Sequence, residues 1–211
     1  YNRLSDATSL SEYNQRSRQS GLFNYYELAL NYQKKMNKKD QELTIKAMIG
    51  RSDDRSDYLT NRFNLSGSKN FTEKGPNTGK NWDSDIQADY SHPLSRAGKK
   101  LLETGVRFTR ASSQTAYEVY NNQSNPGSEQ LDRIGSRSDA MDYFRNIYSG
   151  YVSLKLEAGK QWTIRPSLRF EGTAINSTFK SNQLSFSATF SNWVPNILIA
   201  KKLNDHHEFR F

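Results

Sequence analysis

Few residues in this chain of 211 bring reactive side chains together. His206 and His207 stand beside Asp205, where a metal ion could bind, while the third histidine, His92, lies far away in sequence. No further ligand follows at metal-site spacing, so a solvated turn is the better reading and no metal is expected. Asp53, Asp54 and Asp57 form an acidic run that could attract calcium, but it lacks the glycine and glutamate of a calcium loop. Asp85 and Asp89 share one predicted strand face, as paired acid–base carboxylates would. General acid–base work also needs a pocket and a partner, and a polar wall explains the two better. The absence of cysteine excludes disulfides, thiolate metal sites and cysteine nucleophiles. There is no glycine-rich phosphate loop, nucleophile elbow or zinc motif, so neither an enzyme nor a cofactor is expected. Asn64, Asn70, Asn122 and Asn176 each open a glycosylation-type triplet, which in so Asn- and Ser-rich a chain reads as chance.

What remains is a set of charges and aromatics. Glu103, Arg107, Arg165, Arg169 and Glu171 fall on one predicted side, either as a charge network or as the lining of a substrate path. Tyr117, Tyr120, Tyr143 and Phe144 stand in predicted loops, where they could contact a ligand or pack the loop on itself. The candidate substrate contacts are therefore Tyr117, Tyr120, Arg107, Arg165 and Arg169.

The elements that position these residues are strands. Strict alternation places Tyr26, Leu28, Leu30 and Tyr32 opposite Glu27, Ala29, Asn31 and Gln33, then Leu43, Ile45, Ala47 and Ile49 opposite Thr44, Lys46, Met48 and Gly50. The same pattern recurs over 83–92 and 101–111, over 148–156 and 162–171, and from 193 to the end at Phe211. About eight strands of roughly ten residues result, a length that suits a tilted crossing of a bilayer. Their connections alternate. Short turns are expected at 36–41, 93–100, 157–161 and 203–207, and long loops at 53–81, 112–143 and 172–191, with 184–190 extending a strand. Residues 1–21 read as the end of another long loop, and 1–211 as a single region.

Composition agrees with many short, half-apolar strands joined by long polar loops. Only 34% of residues are hydrophobic and mean hydropathy is −0.90, yet aromatics reach 12%. Disordered chains lack aromatics. The net charge of +8 is spread along the chain with no nucleic-acid motif beside it, so nucleic acid is not an expected partner. No run approaches the roughly 20 apolar residues of a transmembrane helix, which leaves a barrel open. Short turns on one side and long loops on the other are the pattern of an outer-membrane barrel. The expected fold is therefore all-β, an antiparallel up-and-down meander of about eight long strands belonging to an outer-membrane β-barrel.

The hairpins DIQADYSHPLSRAGKKLLETGVRFTR (85–110), IYSGYVSLKLEAGKQWTIRPSLRFEGT (147–173) and NWVPNILIAKKLNDHHEFRF (192–211), with FNYYELALNYQKKMNKKDQELTIKAMI before them, resemble the barrel region of TonB-dependent receptor-like outer-membrane proteins. That resemblance implies a large barrel of about 22 strands, of which these residues are a fragment ending in a cut-off hairpin at Phe211. It implies outer-membrane lipid, an N-terminal plug domain and the remaining strands as partners, and a small-molecule or glycan nutrient as cargo. Two other readings stay open: a small complete eight-stranded barrel with a structural or adhesive role, and a soluble carbohydrate-binding sandwich. The sandwich requires Leu28, Leu30, Ile45 and Ile49 to be buried against a second sheet.

Overall fold

A segment alternating apolar and polar residues satisfies its backbone only by pairing with neighbours on either side. In the computed structural model, which describes residues 2–6, 9–95, 99–159, 161–203 and 207–211, this pairing runs the length of the chain. The elements are β1 (Asn2–Asp6), β2 (Ser9–Lys35), β3 (Glu42–Phe63), β4 (Lys69–Pro93), β5 (Lys100–Tyr117), β6 (Tyr120–Asn121), β7 (Asp132–Arg133), β8 (Asp139–Ala158), β9 (Trp162–Phe179), β10 (Ser185–Lys202) and β11 (Glu208–Arg210). The sheet order is β1-β2-β3-β4-β5-β8-β9-β10-β11, every strand pair among the described residues is antiparallel, and β6 with β7 hangs beside β4. It is an up-and-down meander whose order runs from β1 to β11 without closing.

The seven long strands and the three-residue β11 make up the expected number, and the turn at 36–41 falls where alternation placed it, while those expected at 93–100, 157–161 and 203–207 include residues outside the described ones. The long connections do not. Strand β3 continues to Phe63 and β4 starts at Lys69, so 53–81 is mostly strand around a turn at 64–68. Likewise β9 reaches Phe179 and β10 starts at Ser185, which turns 172–191 into strand except for 180–184. Within 112–143 only 118–138 is a true excursion, carrying β6, β7 and a 3-10 turn at Gly135–Arg137. Residues 9–21, expected within a loop, are the first part of β2. The physical reason is that these stretches are largely polar. They satisfy their backbone by pairing and, apart from 184–190, leave little apolar alternation to read.

The turns are made by residues suited to them. Gly67 (φ 84°) closes the 64–68 turn, where the Asn64 side-chain oxygen accepts the Ser68 amide at 2.8 Å.

The two faces differ sharply. One carries Leu22, Tyr26, Leu28, Leu30, Ile45, Ile49, Trp82, Ile86, Val106, Phe108, Val152, Leu168, Phe170, Trp193 and Ile197 in adjoining registers. Leu28 is 71% exposed, Val106 64% and Trp193 65%. Among the residues whose burial is described, only Val119 and Ala200 are buried hydrophobics. No second sheet covers Leu28, Leu30 or Ile49, so the sandwich reading fails among the described residues, while Ile45 is half-buried within its own sheet. Each such side chain would gain roughly 1.5–3 kcal/mol on leaving water. This apolar band lies next to the short turns, and all seven long strands continue past it on the far side.

Candidate functional site

The opposite, polar face collects charged side chains from β4, β5, β8 and β9 through their registers. Gln87 pairs with Arg107, Asp89 with Gly105, Gly105 with Tyr151, and Tyr151 with Arg169, so alternation sends all six to one side. Asp85 accepts hydrogen bonds from Arg107 Nε and Thr109 Oγ1, both at 2.7 Å. Asp89 accepts the Tyr151 hydroxyl at 2.9 Å and the Gln87 amide at 2.7 Å. Arg169 pairs with Glu171 at 2.8 Å, and Arg165 lies 3.6 Å from Glu103. A small hollow of about 70 Å³ is lined by Gln87, Asp89, Gly105, Arg107, Tyr151 and Arg169 among others. Gly105 is required there, because a Cβ would sit 2.4 Å from Asp89 Oδ1 and 2.5 Å from the Tyr151 ring.

Of the five candidate contacts, Arg107 and Arg169 therefore meet at one hollow, and Arg165 stands on the same face beside Glu103. Tyr117 shares that face but lies ten residues along β5 from Arg107, roughly 33 Å away. Tyr120 is on the other side of the sheet. It pairs with Lys74, which alternates in phase with Trp82 and Ile86 on the apolar face. Tyr143 and Phe144, expected in a loop, belong to β8.

The metal candidates do not assemble. Alternation puts Asp54 on the face opposite Asp53 and Asp57, and these two are paired with Arg51 and Arg55, each at 3.0 Å. His92 is engaged by Tyr90 through Nδ1 at 2.9 Å and by Lys38 at 3.3 Å from Nε2. Asp205 and His206 lie outside the described residues, and no cluster of three ligating side chains occurs among the described ones.

A second polar cluster, without local sequence signal, pins the 118–138 excursion to β4. Arg137 grips Glu73 with both guanidinium nitrogens at 2.5 and 3.1 Å. Tyr58 donates to Glu73 at 3.1 Å and Asn121 donates at 3.3 Å. Burial pushes the Glu73 carboxyl up, but the hydrogen bonds from Arg137, Asn121 and Tyr58 outweigh it and hold the group below the usual glutamate range. Next to it, Asn122 is wholly buried, accepting the Thr72 amide and donating to the Ser128 carbonyl, both at 2.8 Å. Ser138 closes the excursion, accepting from the Val119 amide at 2.9 Å and donating to the Ile134 carbonyl at 2.8 Å. An arginine 64 residues from its acid could not be found from sequence pattern alone.

A family model described as the outer membrane protein beta-barrel family matches residues 34–211. No curated protein matches the chain. Among solved structures, the ferric citrate transporter FecA is similar over 94% of this chain and 35% of its own, at 13% identity and a TM-score of 0.44. The alcaligin outer-membrane receptor FauA from Bordetella pertussis is similar over 90% of this chain and 36% of its own, at 11% identity and a TM-score of 0.47. The ferric yersiniabactin uptake receptor FyuA from Yersinia pestis follows at 11% identity and a TM-score of 0.31, over 78% of this chain and 26% of its own. The chain thus spans about a third of the length of FecA and FauA.

Proposed function

Because the chain belongs to the outer membrane protein β-barrel family, a family of the bacterial outer membrane, we propose that it is part of the barrel wall of a TonB-dependent receptor-like protein that takes up a scarce nutrient. The observation that carries this reading is the two-faced meander: an exposed apolar band on one side, and on the other a charge-paired wall running from Asp85 to Glu171. In a bilayer the band meets lipid, and the charged face lines a lumen that is wet or filled by a plug domain. A sheet that ends in the short β1 and β11, with most of β2 and β10 open on one side, requires further strands before it can stand in lipid. Those strands, with the plug, are the partners this reading supplies.

Within that lumen Arg107, Arg165 and Arg169 stand on the wall, with Tyr117 nearer the far rim, as contacts for a small-molecule or glycan cargo or for the plug. The short turns face the periplasm, and the strand extensions with the 118–138 excursion face outward. No step of this function is chemical; the protein binds and passes its cargo.

The test is uptake by cells lacking the full-length protein, complemented with wild type or with Arg107→Ala/Arg169→Ala. Growth on a limiting nutrient should fail in the deletion strain, recover with wild type and recover poorly with the double variant. Full recovery by the double variant would remove the two arginines from the cargo path. A deletion strain indistinguishable from wild type on every limiting carbon and iron source would sink the uptake reading.

A further inference from the structure

Beyond the apolar band the lipid-side face changes chemistry. On β2 and β3, Arg18 pairs with Leu59, Ser20 with Asp57 and Leu22 with Arg55. On β3 and β4, Leu59 pairs with Lys74 and Asp57 with Pro76, and β6 sets Tyr120 opposite Lys74. All these side chains alternate in phase with Leu28 and Ile86, so they share the face of the band. Together they enclose an open hollow of about 570 Å³.

Its charge is positive. Asp57 is held by Arg55 at 3.0 Å, and among the described residues neither Arg18 nor Lys74 has a carboxylate partner. The Lys74 ammonium lies 5.3 Å from the centre of the Tyr120 ring, whose hydroxyl donates to Glu118 at 2.8 Å. Glu118 is in turn neutralised by Arg133 at 3.1 Å. Two cations without a carboxylate partner therefore face a hollow whose other walls are the apolar Leu59, Pro76 and Tyr120 ring, with Ser20 and the Arg55–Asp57 ion pair beside them.

We propose that this hollow seats the phosphate-bearing headgroup of a membrane lipid, with Arg18 and Lys74 as its anion ligands. The inference rests on the reading that the band faces lipid. Ser20 and Arg18 lie two and four residues beyond Leu22, roughly 7 and 13 Å along a strand. On strands tilted by about 45° that is about 5–10 Å above the hydrocarbon, the level of the headgroups. Position, charge and apolar walls thus match one occupant: a lipid whose chains lie against Leu22 and Tyr26 while its phosphate reaches the two cations. An arginine here offers a bidentate fork and a lysine a point charge, the two usual ways to hold a phosphate.

The test uses the full-length protein in phosphatidylcholine vesicles doped with spin-labelled phosphatidate or spin-labelled phosphatidylcholine. The fraction of label immobilised at the protein surface gives the relative association of the two lipids. Wild type should favour phosphatidate severalfold, Arg18→Gln/Lys74→Gln should bring the two lipids to parity, and Arg18→Lys/Lys74→Arg should keep the preference. Free inorganic phosphate should not displace the label. Equal association of both lipids with wild type, or an unchanged preference in the charge-removing variant, overturns the proposal while stable insertion leaves the barrel-wall reading standing. Failure of the protein to enter vesicles at all overturns both.

Discussion

Replacing Gly105 with alanine should destabilise the wall. The new Cβ would stand 2.4 Å from Asp89 Oδ1, 2.5 Å from Tyr151 Cε1 and 3.1 Å from the Ala88 carbonyl oxygen. The carbonyl belongs to a paired strand and cannot retreat, so the Tyr151 ring and the Asp89 carboxylate must. Forcing a methyl group into a filled site costs about 1–3 kcal/mol. Moving the ring also breaks the 2.9 Å hydrogen bond from Tyr151 to Asp89. A bond to a charged acceptor is worth roughly 1.5–3 kcal/mol, and here the lower end applies because the pair is only partly buried. The sum is about 3 kcal/mol, or on the order of a hundredfold in the folded-to-unfolded ratio. Urea titration of the full-length protein in vesicles, followed by tryptophan fluorescence, measures it. Tyr151→Ser in the Gly105→Ala background should recover part of the loss, with a coupling above about 1 kcal/mol. If Gly105→Ala alone stays within about 0.5 kcal/mol of wild type, the packing account of this hollow is wrong.

Val106→Arg, in the middle of the apolar band, should cost about 2–4 kcal/mol in the same vesicle titration, whereas Gln87→Arg on the polar face should change stability by less than about 1 kcal/mol; similar costs at the two positions would mean that neither face meets lipid. The Glu73 carboxyl has its folded pKa held below its unfolded one. It therefore secures the 118–138 excursion at pH above the ordinary glutamate range, and that contribution is lost as pH falls through the folded value. Proteolysis within 118–138 should rise on acidification in wild type, and Glu73→Gln should be cleaved readily at all pH; a flat wild-type profile contradicts the linkage. Asn122→Ala leaves the buried Thr72 amide without its side-chain acceptor, a loss of about 1–3 kcal/mol confined to this corner. Faster hydrogen exchange should appear at Thr72 and across 122–128 while β8 and β9 stay protected, and unchanged exchange would show that water replaces the amide at no cost.

The part of the fold that crosses the apolar band was legible, because there one face needs Leu, Ile, Val and Tyr while the other does not. Leu28, Leu30, Ile45 and Ile49 mark the first hairpin, and the turn at 36–41 falls between them. The extensions were not legible by hydropathy, since residues such as Asn77, Lys80 and Asn176 are polar on either side. A different signal was present in RSDDRSD (51–57): arginine and aspartate two apart, which only a strand brings onto one face. The pairs Arg51–Asp53 and Arg55–Asp57 realise it. The grouping of Arg107 with Arg169 follows from register, which alternation within each strand does not determine. The face of Tyr120 is set by β6 joining β4 at Lys74, and the Arg137–Glu73 grip spans 64 residues. Neither has a local cause.

In this meander each long strand pairs with its neighbours along the chain, apart from the β6–β7 excursion between β5 and β8. Most contacts are therefore closed by short turns, and assembly can advance hairpin by hairpin without a long search. The cost is exposure during growth. At every stage the newest strand presents a full row of free amides and carbonyls, a template for any extended segment nearby. Along Asn14–Lys35 that row is flanked by Leu22, Tyr26, Leu28 and Leu30. A chain held in water at such a stage would pair with copies of itself, so synthesis and membrane entry must be kept apart by a factor that binds unpaired strands, or coupled closely enough that no edge waits.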